Sequence, residues 1–260
     1  GHILAFGTNG SFGSIYKSSD AGASFTARFT SSFSTTATPF LSYGNISNAS
    51  RNPAVSPVAG TVAIFGVPAE GMVVSTDFGT TWTVKSLSSV IDPTNGFIGS
   101  YMYDKDGNLL IHYIFDTSAT SWDTDVAKSG NNGTTWTKLN TPNVPTPTGS
   151  VYSKRVIALG TGEYLMCIQS QFDCYRSSDG GATWTNVGNV GDVFLWSHTQ
   201  GTTSYILGSG DAGILKTTNG GLNFTAFSDG IPHPTAAEIT LLNNKDMVIG
   251  ATRPYYSSDF

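Results

Sequence analysis

Charge is scarce in this chain. Thirteen basic and eighteen acidic residues among 260 make 12% charged, about half the usual share. A coiled coil and a charge-rich disordered tail are therefore excluded. The net charge is −5 and no basic run occurs, so no nucleic-acid partner is expected; a phosphate-tracking groove needs a positive stripe. No apolar run approaches the length of a membrane-spanning helix, and no membrane insertion is expected. Thiols are nearly absent, with Cys167 and Cys174 the only two. These two and the scattered His2, His112, His198 and His233 show no ligand spacing, so neither a metal nor a cofactor is expected. No Ser-His-Asp, phosphate-loop or redox motif is evident, and Gly7-Thr8-Asn9-Gly10 reads as a hairpin turn.

If a two-residue turn falls at Ser170-Gln171, the cysteines face each other across a hairpin. A disulfide and a pair of buried thiols are both open at that point.

Glycine is plentiful at 30 residues, and much of it sits in a repeat. Ser18-Ser19-Asp20-Ala21-Gly22-Ala23-Ser24-Phe25 is followed by Ser75-Thr76-Asp77-Phe78-Gly79-Thr80-Thr81-Trp82. Copies recur at Ser129 with Asn131 and Trp136, at Ser177 with Asp179 and Trp184, and more weakly at Thr217 with Asn219 and Phe224. A sixth begins at Ser257-Ser258-Asp259. The third positions lie 57, 54, 48, 40 and 40 residues apart, the period of one four-stranded propeller blade. The pattern suits a tight turn between strands. The short Asp or Asn side chain accepts from the next backbone amides, and glycine supplies the positive φ. The eighth, aromatic residue starts the return strand and packs inward.

These octapeptides resemble the Asp-box, or BNR repeat, of sialidase-like and sortilin-like β-propellers. The resemblance covers essentially the whole chain. It implies an all-β, six-bladed β-propeller of four-stranded antiparallel blades forming a single domain over residues 1–260, with five blades as the alternative. It also implies a structural role for Asp20, Asp77, Asn131, Asp179, Asn219 and Asp259 on outer turns away from the ligand face. Strand-like runs support blades of this kind, among them residues 62–65, 109–113, 155–158, 205–207 and 247–249. The first blade lacks its first strand and the sixth its last. Two long connections fall on the ligand face, about residues 30–51 and residues 115–125.

A sialidase-like site needs three arginines, a Tyr-Glu pair and an acidic Asp. The five arginines leave Arg51, Arg155 and Arg253 once Arg28 and Arg176 are assigned to outer strands. The family's Phe/Tyr-Arg-Ile-Pro motif is absent. Glu163 falls in a turn on the opposite face, and no Tyr partner can be assigned to Glu70 or Glu238. A two-carboxylate glycosidase would draw on Asp92, Asp116, Asp123, Asp125, Asp173 or Asp211, all expected on ligand-face loops. A Ser/Thr/Asn/Gly-rich, low-charge, 12% aromatic chain instead suits a recognition module outside the cell or on a virion such as a phage tail fibre. The expected partner is a glycan or surface receptor, contacted by Arg51, Trp122, Asp123, Arg253 and Tyr255. A glycoside hydrolase is the alternative, and a structural or assembly propeller that binds protein is the next.

Overall fold

The computed structural model describes residues 2–9, 12–30, 53–65, 71–91, 96–118, 121–139, 154–168, 173–189, 194–200, 203–208, 214–227, 238–241, 247–250 and 255–257. Among them every regular element is a strand, and every pairing is antiparallel. The chain divides into two compact units, residues 1–139 and 140–260.

The first unit holds three sheets. Sheet one is β1 (Ile3–Asn9), β2 (Phe12–Ser18) and β3 (Thr26–Thr30). Sheet two is β4 (Ala54–Val55), β5 (Val62–Phe65), β6 (Met72–Ser75) and β7 (Thr83–Lys85). Sheet three is β8 (Gly96–Tyr103), β9 (Leu109–Ser118), β10 (Ser121–Ser129) and β11 (Thr137–Lys138). The runs 62–65 and 72–75 are apolar at nearly every position because sheet two is buried on both faces. Val62, Ile64 and Val73 pack with Ile15 of sheet one. Ala63, Phe65, Met72 and Val74 pack with Leu109, Ile111 and Tyr113 of sheet three. Each such side chain contributes roughly 1.5–3 kcal/mol.

The second unit holds sheet four, of β12 (Lys154–Gly160), β13 (Glu163–Ile168), β14 (Asp173–Ser177) and β15 (Thr185–Asn189). Sheet five is β16 (Phe194–Gln200), β17 (Thr203–Gly208), β18 (Ile214–Thr217) and β19 (Thr225–Ala226). Sheet six is β20 (Glu238–Leu241), β21 (Met247–Gly250) and β22 (Tyr255–Ser257). In each unit the first strands of successive four-stranded sheets adjoin: β4 lies against β8, and β12 against β16. Strand β16 likewise lies against β20.

Five repeats form the corner between a sheet's third strand as β6 is, or β2 in sheet one, and the strand that follows it. In all five, the first residue's hydroxyl donates to Oδ1 of the third at 2.7–3.0 Å. The same hydroxyl accepts the fifth residue's N–H at 2.8–2.9 Å. Oδ1 in turn accepts the seventh residue's N–H at 2.8–3.0 Å. The fourth residue is left-handed as well as the fifth, which the glycine pattern does not announce. Ala21 has φ 58°, Phe78 58° and Asn132 54°, where the later copies place Gly180 and Gly220. Trp82 and Trp184 donate their indole N–H to the carbonyls of Gly79 and Gly181, both at 3.2 Å. Phe25, which has no such donor, stands 45% exposed and departs from the expected inward packing.

Three corners are tied to their own sheet's first hairpin. Phe78 N–H donates to Gly60 and Gly180 N–H to Gly162, both at 2.9 Å. The Tyr103 hydroxyl donates to Asn132 Oδ1 at 2.9 Å, and burial raises that phenol to about 12. Cations then reach from one sheet to the next corner. Lys17 Nζ donates to Thr80 Oγ1 at 2.6 Å and Lys85 Nζ to Thr134 Oγ1 at 3.0 Å. Arg176 donates to the Gly220 carbonyl and pairs with Glu163 at 2.7 Å. Glu163 therefore opens β13 rather than lying in the preceding turn, and its charge is used against Arg176.

Ser75→Ala removes a buried hydroxyl that serves both carboxylate and amide, and should cost about 1–3 kcal/mol in urea unfolding. Acid should also weaken the corners. The Thr81 amide and hydroxyl hold the Asp77 carboxyl at about 2, and the Thr183 hydroxyl and amide hold Asp179 at about 2. Asp20 is lowered too, first by the Ser24 hydroxyl. A depressed carboxyl stabilises the fold above its unfolded value near 3.8 and loses that contribution as pH falls towards 2. Replacing Asp77 and Asp179 with Asn, as at Asn131 and Asn219, should flatten the loss of stability between about pH 4 and 2. Urea midpoints measured across that window check it.

Candidate functional site

Corners and first hairpins share one end of each four-stranded sheet. The antiparallel order puts the second hairpins at the other end. There sheet three differs from the rest. Strands β9 and β10 have 10 and 9 residues. The corresponding strands of sheets two, four and five have 4 to 6.

Residues 115–125, expected as a long connection, are therefore mostly strand. Asp116 faces Trp122, Phe115 faces Asp123 and Tyr113 faces Asp125 across the ladder. Residues with strand preference, Ile114 and Phe115 on β9 and Trp122 and Thr124 on β10, continue past Tyr113, and the pairing continues with them. The strand β8 follows as far as Gly96 opposite Phe115. Trp122 and Asp123, expected as one cluster on a loop, are consecutive strand residues and occupy opposite faces of the sheet. The Asp123 face is the one that carries Tyr113, Ile111 and Leu109 into the core with sheet two.

Tyr113 is 1% exposed, and its hydroxyl donates to Asp125 Oδ2 at 3.3 Å. Asp125 Oδ1 accepts the Val126 N–H at 2.9 Å. The Lys138 ammonium lies 5.7 Å from the Tyr113 ring centre. This tyrosine–carboxylate pair escaped the sequence reading.

In sheet four, Cys167 and Cys174 pair across β13 and β14 with Cα atoms 4.1 Å apart and form a disulfide. The open question between thiols and a bond is thereby decided. Next to it Tyr175 is buried. Burial, then the charge of Asp173, push its phenol up, opposed by a hydrogen bond with Asn186.

Of the other proposed contacts, Tyr255 begins β22, paired with Ile249. Arg51 and Arg253 lie outside the described residues, as do Asp259, Asp92 and Asp211. Asp116, Asp123, Asp125 and Asp173 are strand residues rather than loop residues. Arg155 lies on β12, Arg28 is exposed on β3, and Arg176 is engaged at the corner end. Among the described residues no group of three or more His, Cys, Asp or Glu is placed to hold a metal ion, and no helix is long and apolar enough to cross a membrane.

No family model and no curated protein matches the chain. Solved structures do. A protein of unknown function from Bacteroides caccae superposes with TM-score 0.54 at 13% identity, over 95% of this chain and 81% of that one. A Trypanosoma rangeli sialidase in complex with the inhibitor DANA gives TM-score 0.54 at 13% identity, over 95% of this chain but 50% of the sialidase. An ancestral GH74 enzyme gives 0.52 at 14%, over 98% of this chain and 36% of the enzyme. These are likenesses of fold. With antiparallel sheets of four strands whose first strands adjoin, they support a β-propeller fold.

The disulfide closes a loop of about eight residues. Replacing both cysteines with Ser should cost about 2.5 kcal/mol on the loop-entropy estimate. Equilibrium unfolding of the double variant, compared with the disulfide-bonded parent under non-reducing conditions, measures it.

Proposed function

We propose that this chain is a six-bladed Asp-box propeller, one domain over residues 1–260, that recognises a glycan or glycan-bearing surface receptor without catalysis. The division of labour within the sheets carries the reading. One end is committed to corner hydrogen bonds and cation braces. The other carries the longest strands, the disulfide-stapled hairpin and the residues with aromatic and carboxylate chemistry. Trp122 and Asp123 on β10 are assigned to ligand contact, with Arg51, Arg253 and Tyr255 as further contacts.

Two of the five arginines take no part in a clamp for an acidic sugar. Arg176 is spent on Glu163 and Gly220, and Arg28 lies exposed on an outer strand. The disulfide supports an oxidising setting, secreted or on a virion surface. The fold shared with a sialidase and a GH74 enzyme keeps hydrolysis as the second reading.

A glycan array run beside a hydrolysis assay on the same sugars tests this. Binding without turnover is expected. Turnover abolished by an Asp→Asn change at Asp116, Asp123 or Asp173 would replace recognition with glycoside hydrolysis. Binding to no sugar would leave an assembly role.

A further inference from the structure

The five corners share more than their opening residues. The ninth position is threonine in every copy: Thr26, Thr83, Thr137, Thr185 and Thr225. The seventh is Ser24, Thr81, Thr135 or Thr183 in four copies, and each of those hydroxyls is bonded within its corner. Ser24, Thr81 and Thr183 donate to Oδ2 of the third residue at 2.5–2.7 Å. Thr135 Oγ1 accepts from Asn131 Nδ2 at 2.9 Å. The fifth copy has Asn223 at this position. Its backbone N–H still donates to Asn219 Oδ1 at 3.0 Å. Its side chain is exposed and makes no hydrogen bond among the described residues.

Asparagine here gives up a side-chain bond that the other four corners use, and it creates a triplet. Asn223-Phe224-Thr225 is the acceptor pattern for N-linked glycosylation, an asparagine with a hydroxyl residue two places on. Thr225 is exposed on β19, its hydroxyl donating to the Lys216 carbonyl at 3.3 Å. Asn132-Gly133-Thr134 is a second such triplet, and the fold already uses it. Asn132 is half-buried and left-handed at φ 54°, and its Oδ1 accepts the Tyr103 hydroxyl at 2.9 Å. Thr134 Oγ1 accepts from the Lys85 ammonium at 3.0 Å. A glycan is bulky and polar and needs open solvent, which Asn223 has and Asn132 lacks. Asn45-Ile46-Ser47 and Asn48-Ala49-Ser50 also fit the pattern and lie outside the described residues.

We propose that Asn223 is the acceptor of an N-linked glycan when the chain passes through an oxidising secretory compartment, the setting that suits the Cys167–Cys174 disulfide. The Asn223 amide nitrogen attacks the anomeric carbon of a lipid-diphosphate-linked oligosaccharide. A carbon–nitrogen bond forms and the bond from that carbon to the phosphate oxygen breaks. The lipid diphosphate leaves, and the amide gives up one proton. The glycan stands at the corner end of sheet five and leaves the second-hairpin end clear. Its presence does not depend on whether that other end binds a sugar.

The test translates the full chain, behind a cleavable leader, into eukaryotic microsomes. Each triplet is scored by peptide mass spectrometry after amidase release, which turns a glycosylated asparagine into aspartate. Asn223 should carry a glycan and Asn132 should not. Thr225→Ala keeps the asparagine and should abolish the glycan, and Thr225→Ser should restore it. Asn223→Thr installs the hydroxyl that Thr135 offers to Asn131, so it should lose the glycan and keep the parent's urea midpoint. That variant keeps the test decisive even if Thr225→Ala fails to fold. An unmodified Asn223 overturns the proposal. So does a glycan at Asn223 that persists in Thr225→Ala, or occupancy of Asn132 equal to that of Asn223.

Discussion

The hydroxyl of the first corner residue is the group on which the rest of the structure depends. It is buried, and it serves a carboxylate or amide on one side and a backbone N–H on the other. Left without it, two successive left-handed residues would have no local reason to hold their shape. The corner fixes the angle between a sheet's third and fourth strands. The brace from the neighbouring sheet then lands on a residue of that corner, as Lys17 does on Thr80. One small knot thus sets both the geometry within a sheet and the spacing to the next.

Such an arrangement explains how a chain so poor in charge assigns the charges it has. Lys17, Lys85 and Arg176 reach across sheets, and Glu163 supports the last of these. Hydrogen bonds hold the corner aspartates Asp20, Asp77 and Asp179 ionised, while Asp116, Asp123 and Asp125 pair across the β9–β10 ladder with Trp122, Phe115 and Tyr113. The apolar content is spent on sheets buried on both faces. That is why residues 62–65 and 72–75 show no alternation.

Much of the architecture was legible because it is local and repeated. A corner needs a few residue types at fixed offsets, so each copy announced itself, and the strands beside it followed. The register of Cys167 and Cys174 was legible for the same reason, since a short turn allows few pairings. The β9–β10 arm was read as a loop because Asp116, Thr117, Ser118 and Thr120 look like turn residues one at a time. Only pairing across the ladder, as of Asp116 with Trp122 and Ser118 with Ser121, makes residues 116–118 strand. The expectation of Trp122 and Asp123 in one cluster followed from that same error. The Arg176–Glu163 brace was hidden, because it depends on which corner lies beside which sheet.

Phe78 shows what the corner tolerates. A bulky aromatic sits where backbone sterics favour glycine, at a cost of order 1–2 kcal/mol. It is held there by bonds that belong to its neighbours, not to its own side chain. The fourth position is thus a site of free choice, open to alanine, asparagine, phenylalanine or glycine without a change of path. Substitution at this position can therefore change what a corner displays while the hydrogen bonds beneath it stay as they were.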